Sequence, residues 1–230
     1  LIGYSQGGYG VLTAGGATLD PQGPNIGLVA GGVLQKSARG GADADAVKLA
    51  GVRAIVALAP AGGARSSAWG ADGLAALTAP LLLIQGDSDA TVNYTMGALA
   101  VFGGAVNSDR TLLTYKQAGH SIALNPAPRE MRGTVWDMDW FEDPIWRQDR
   151  INAINLHFIT AFLAVHLQKD DSKAAYLNVG IENSDAGEWN APAGTPWGAY
   201  SPGGAGVTLW KGFQRRHAKG MMLQHMEAAK

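Results

Sequence analysis

Three short apolar runs constrain this chain more than any other feature: residues 52–58, 80–85 and 111–116, each bounded by Gly, Pro, Asp or Ser. Each has the length of a strand. The first two are almost continuously apolar, with no alternation of inward and outward residues. Strands of that kind are covered on both faces, as in a parallel sheet flanked by helices. The third run is more polar and reads as an edge strand. Segments with helical spacing lie between the runs, at residues 6–19, 43–50, 69–77 and 93–101, so the order is β-α-β-α-β-α-β and the fold class is α/β. A longer helix is expected over residues 147–167. There Ile151, Ile154, Phe158, Phe162 and Leu163 share one stripe while Asp149, Asn152 and Lys169 fall off it, so the helix would cover one face of the sheet.

Composition narrows the function classes. The 230 residues are 47% hydrophobic, enough for one core, and 18 Lys and Arg balance 19 Asp and Glu. No excess of positive charge draws the chain to nucleic acid or an anionic bilayer, which leaves a small-molecule partner as the expectation. The absence of cysteine excludes disulfides, thiolate nucleophiles and sulfur-ligated metals. The 32 glycines fall in short clusters rather than in one linker, which suggests tight turns and close backbone packing. No run approaches the roughly 18 apolar residues of a membrane span. The chain opens at Leu1 with neither Met nor a signal-peptide pattern and reads as a fragment. Beyond Lys169 it becomes rich in Gly, Pro and Asn through residue 204, then regains apolar and basic character over residues 207–226. A long loop with a short terminal strand or helix is expected there. Residues 1–169 and a C-terminal extension, 170–230, are expected to pack as one domain.

The chemistry-bearing signal is Gly3-Tyr4-Ser5-Gln6-Gly7. It sits where a strand gives way to a helix, the setting of a G-x-S-x-G nucleophile elbow. Ser5 would occupy a sharp, strained turn that projects its hydroxyl from the sheet, with glycines on either side leaving room for backbone. The amide of Gln6, at the helix start, would face a developing oxyanion. After the 80–85 strand comes Gly86-Asp87-Ser88-Asp89. Asp87, nearest the turn, is expected to serve an Asx turn or a helix cap, leaving Asp89 as the acid that orients an imidazole. After the 111–116 strand comes Gly119-His120, and His120 is the candidate base. His157, His166, His217 and His225 do not follow strands, and surface or packing roles are expected for them.

The elbow GYSQGG, the turn GDSDATV and the loop AGHS, in this order, resemble an α/β-hydrolase of the dienelactone-hydrolase-like, chlorophyllase-like and polyester-hydrolase-like branch. The resemblance covers about residues 1–169. It implies an α/β-hydrolase fold, a mostly parallel sheet with helices on both faces. It also implies a catalytic triad of Ser5, Asp89 and His120 acting on carboxylic esters. In that family further strands precede the nucleophile strand and one of their loops gives a second oxyanion donor. Here the chain begins at the nucleophile strand, so the resemblance implies half an oxyanion hole and an exposed sheet edge. Residues 176–177 and 208–213 are similar to C-terminal extensions of exported bacterial members, which implies a secreted or periplasmic parent.

Tyr4 and the side chain of Gln6 flank the nucleophile, Tyr4 as a candidate substrate-binding residue, with packing as the alternative for both. Arg65, Ser66, Ser67 and Trp69 follow the second run and could line a substrate pocket, as could the loop of residues 136–141 with Trp146 behind it. That loop alternates acids with aromatics, but no metal-ligand spacing appears in the sequence, and neither metal nor other cofactor is expected. Two other function classes compete. One is a non-catalytic domain of the same fold used for binding, or a fragment inactive without its upstream strands. The other is a nucleotide-binding domain, disfavoured because no glycine-rich phosphate loop stands in the right setting.

Overall fold

The computed structural model describes residues 1–24, 26–27, 29–62, 67–135, 140–189, 206–214 and 216–229. Five strands form one sheet in the order β1-β2-β3-β4-β5. They are β1 (Ile2–Tyr4), β2 (Ile55–Leu58), β3 (Leu81–Gly86), β4 (Arg110–Tyr115) and β5 (Met221–Met226). The first four are parallel, with Ile2 opposite Val56, Ile55 opposite Leu81, and Leu81 opposite Arg110. β5 runs antiparallel to β4, pairing Arg110 with Met226 and Tyr115 with Met221. The chain is therefore an α/β fold with a five-stranded, mostly parallel sheet.

Alternate residues of β2, β3 and β4 feed two separate cores, as expected for strands buried on both faces. On one face Val56, Leu58, Leu82, Ile84, Leu113 and Tyr115 pack against Ile151, Ile154, Phe158 and Phe162 of α5 (Gln148–Leu163). On the other, Ile55, Ala57, Leu81, Leu83 and Leu112 meet Leu12 of α1 (Gln6–Ala14), Leu74 of α3 (Gly70–Ala75), and Val101 and Phe102 of α4 (Ala100–Gly104). α2 (Val33–Ser37) is a short surface helix with no buried residue. α5 continues through a wide turn, Ala164–Gln168. The 21 residues of Gln148–Gln168 are long and apolar enough to cross a membrane by length and composition, which corrects the expectation that no run approaches a membrane span. In the fold their apolar stripe is the cover of the sheet.

Three further expectations are corrected. β4 is an interior strand, because β5 pairs with its far side and all six of its residues are buried. Its polar residues are satisfied inside the fold: the Thr114 hydroxyl shares a 2.8 Å hydrogen bond with that of Tyr94. Residues 43–47 form successive turns, and no helix forms over 43–50. Leu49 there is 57% exposed, so no apolar face is buried to hold a helix in place. The helix expected over 6–19 stops at Ala14, where the Ala17 amide folds back onto the Leu12 carbonyl across Gly16 at φ 126°. The extension past residue 169 supplies the short terminal strand expected there, as β5, and buries Trp210 in the α5-side core.

Candidate active site

Because β1, β3 and β4 are parallel, the loops that follow them emerge at one edge of the sheet, and these loops carry Ser5, Asp89 and His120. Ser5 stands between β1 and α1 at φ 55°, ψ −116°, a conformation costly for a residue with a Cβ. Backbone bonds from the end of β2 hold it there. The Ser5 amide donates to the Leu58 carbonyl at 2.9 Å, and the Ala61 amide donates to the Ser5 carbonyl at 2.9 Å. The two flanking glycines are not equivalent. A Cβ on Gly3 would lie 2.1 Å from the Gly7 carbonyl oxygen, whereas one on Gly7 would meet nothing within 4 Å. Gly3 lets the first turn of α1 fold back over β1. Gly8 does the same work against β2, since a Cβ there would lie 2.8 Å from Pro60 Cα.

His120 Nε2 lies 3.0 Å from Ser5 Oγ, and its Nδ1 lies 2.8 Å from Asp89 Oδ2. A carboxylate only accepts, so Nδ1 carries the proton, and Nε2 of the neutral ring is left to accept from the Ser5 hydroxyl. Asp89 is buried, 4% exposed, and both its oxygens are occupied. Oδ1 accepts from the Thr91 and Val92 amides, and Oδ2 accepts from Gln85 Nε2 at 3.0 Å as well as from His120. Burial alone would raise its pKa. The hydrogen bond from His120, the Val92 amide, the charge the imidazole carries when protonated and Gln85 together outweigh that and hold the carboxyl below its ordinary value.

The two acids have not divided their roles as the sequence suggested. Asp89 makes the Asx-type turn with one oxygen and meets the imidazole with the other. Asp87 is exposed and instead ties the acid loop to the histidine loop, accepting from the Gln117 amide at 2.6 Å. The Ser88 amide reaches the Ala118 carbonyl at 3.0 Å, so the two loops are laced together. They come so close at Gly86 that a Cβ there would lie 2.2 Å from the Ala118 oxygen.

Three supporting residues escaped the sequence reading. Gln85, fully buried at the end of β3, donates to Asp89 and accepts from the Ala98 amide at 2.9 Å. That amide is free to do so because the helix is irregular at Gly97 (φ −94°, ψ −113°) and the Leu99 amide takes the Tyr94 carbonyl. Asp143, 7% exposed, accepts from the Gly119 amide beside His120 and from the Ile145 and Trp146 amides. Asn155 of α5 donates to the Ile122 carbonyl and accepts from the Tyr115 hydroxyl at 2.8 Å. A polar residue closing an apolar strand was a readable signal for Gln85. The distant partners of Asp143 and Asn155 left no local signal.

Of the remaining candidates, Tyr4 joins the cluster: its ring stacks on His120 at 5.1 Å between centroids. Gln6 is the first residue of α1, where the amides have no intrahelical acceptor. Trp69 does not join the cluster. It is 1% exposed in the core beneath α1, with Nε1 donating to Thr13 Oγ1 at 3.2 Å. Trp146 likewise anchors its loop, donating to the Lys116 carbonyl and packing edge-on to Tyr115. Arg65, Ser66 and residues 136–139 lie outside the described residues. No family model and no curated protein sequence matches the chain.

Proposed function

We propose that this chain is a serine hydrolase of the α/β-hydrolase type that cleaves carboxylic esters, with Ser5 as nucleophile, His120 as general base and Asp89 as the acid that orients it. The observation that carries the reading is the continuous hydrogen-bonded line Ser5–His120–Asp89, at 3.0 and 2.8 Å, built on a strained serine. In the proposed reaction Ser5 Oγ bonds to the ester carbonyl carbon as its proton passes to His120 Nε2. The tetrahedral oxyanion accepts a hydrogen bond from the Gln6 amide at the N-terminus of α1. Collapse breaks the bond to the leaving alcohol, which takes the proton from His120. Water then attacks the acyl-enzyme with the same base, releasing the acid and restoring Ser5. Asp89 holds the Nδ1–H tautomer and balances the imidazolium charge while it lasts.

The test is intact-mass labelling with a fluorophosphonate, which transfers its phosphonyl group to an activated serine and loses fluoride. The expected result is a single adduct on Ser5 in the wild-type protein and none in Ser5→Ala. A folded wild-type protein that stays unlabelled would overturn the reading and favour a binding domain.

A further inference from the structure

We propose that Tyr4 is a positioning residue that holds the His120 imidazole in line with Ser5, and that it is not a substrate-binding residue; the inference rests on the serine-hydrolase reading. Tyr4 ends β1 and immediately precedes Ser5. Its hydroxyl donates to the backbone carbonyl of His120 at 2.9 Å, across 116 positions of sequence. Its ring lies against the imidazole, with 28° between the planes. One aromatic residue thus fixes the base twice: the hydrogen bond sets where the His120 backbone sits, and the stack limits how the ring tilts. Because Tyr4 and Ser5 are adjacent, the nucleophile and the clamp on the base move as one unit. The two contacts, 2.9 Å from Tyr4 and 3.0 Å from Ser5, then act as a two-point fastening between the end of β1 and the histidine loop.

The same contacts argue against a role in holding substrate. The hydroxyl is already engaged, one face of the ring is covered by His120, and Tyr4 packs against the α5-side core. The phenol also remains a donor wherever the site works, since burial first and the Asp89 charge second push its pKa well above the ordinary value. The ties from Asp87, Ser88 and Asp143 to the histidine loop hold Gln117, Ala118 and Gly119, short of His120 itself. Gln117 is in the left-handed region at φ 61°, and Gly119 directly precedes the histidine.

The experiment compares wild type, Tyr4→Phe and Tyr4→Leu in fluorophosphonate inactivation, separating the maximal rate, kinact, from the half-saturating concentration, KI. Thermal melts fix a temperature at which all three are folded. Tyr4→Phe keeps the stack and loses the hydrogen bond, and it is expected to lower kinact about 2- to 10-fold, the weight of one neutral hydrogen bond. KI is expected to stay unchanged. Tyr4→Leu loses both contacts and is expected to fall further in kinact. An unchanged kinact in Tyr4→Phe overturns the inference, and so does a loss confined to KI, which would return Tyr4 to substrate binding. A wild-type protein unlabelled at Ser5 overturns the hydrolase reading and this inference with it. A labelled wild type beside an unaffected Tyr4→Phe overturns this inference alone.

Discussion

At the scale of single residues the site depends on a few atoms that leave no room for exchange. Gly3 and Gly7 look alike in the sequence but face opposite situations, one pressed against backbone and the other open. Gly3→Ala is therefore expected to cost more than about 2 kcal/mol or to prevent folding, since backbone must shift to admit the methyl group. Gly7→Ala is expected to be neutral or stabilising by up to about 1 kcal/mol through helix propensity. Urea unfolding of the two variants side by side checks this. The two carboxylates of the acid loop offer a second contrast. On the proposed mechanism, Asp89→Asn lowers ester hydrolysis on the order of 1,000- to 10,000-fold, because the amide no longer selects the Nδ1–H tautomer. Asp87→Ala removes only a tie between loops and is expected to change the rate by less than about tenfold. Steady-state kinetics on an activated ester distinguish the two, and an Asp87 variant as impaired as the Asp89 variant would reassign the acid.

At the scale of elements, the strands that could be read in the sequence were those whose apolar character is continuous, such as β2 and β3. The order of Ser5, Asp89 and His120 after successive strands was equally readable, because a parallel sheet delivers loops to one edge. What could not be read locally was set by distant partners. β4 seemed an edge because its neighbour β5 lies more than 100 residues downstream. Trp69 seemed to line a pocket because its partners Tyr9 and Thr13 belong to α1. Gln85 and Asp143 show how far the site depends on such partners. Gln85→Leu leaves the buried Ala98 amide without its acceptor and removes one donor from Asp89. It is expected to lower stability by about 1–3 kcal/mol. Asp143→Ala strips the acceptor from three amides, including that of Gly119, and is expected to cost about 3 kcal/mol. Denaturant midpoints measure both, and a loss below about 0.5 kcal/mol in either would show that the loop does not rely on that contact.

At the scale of the whole molecule, burial and pairing set how the fold responds to acid. His157 sits half-buried among Phe158, Tyr176 and Phe213, and His166 packs on Phe162; burial lowers both below the ordinary value of 6.5. Asp89 and Asp185 are held below 3.8. For Asp185 the cause is first the hydrogen bond from Lys116 and then the Gly220 amide. All four groups bind protons more readily in the unfolded chain, so unfolding takes up protons and stability falls as pH falls. The histidine contribution is present above about 6.5 and is lost below it, and the carboxylate contribution is lost below about 4. Urea midpoints measured from pH 8 to 3 are expected to decline in those two stages, and a midpoint that rises on acidification would contradict the assignment. The pairing of β4 with β5 has a consequence for the newly made chain. The ribosome must add about a hundred residues after β4 before its partner exists, a wait of roughly 5 to 20 s at ordinary elongation rates. Until then the strand that leads into His120 offers an open row of amides and carbonyls to any other nascent chain nearby.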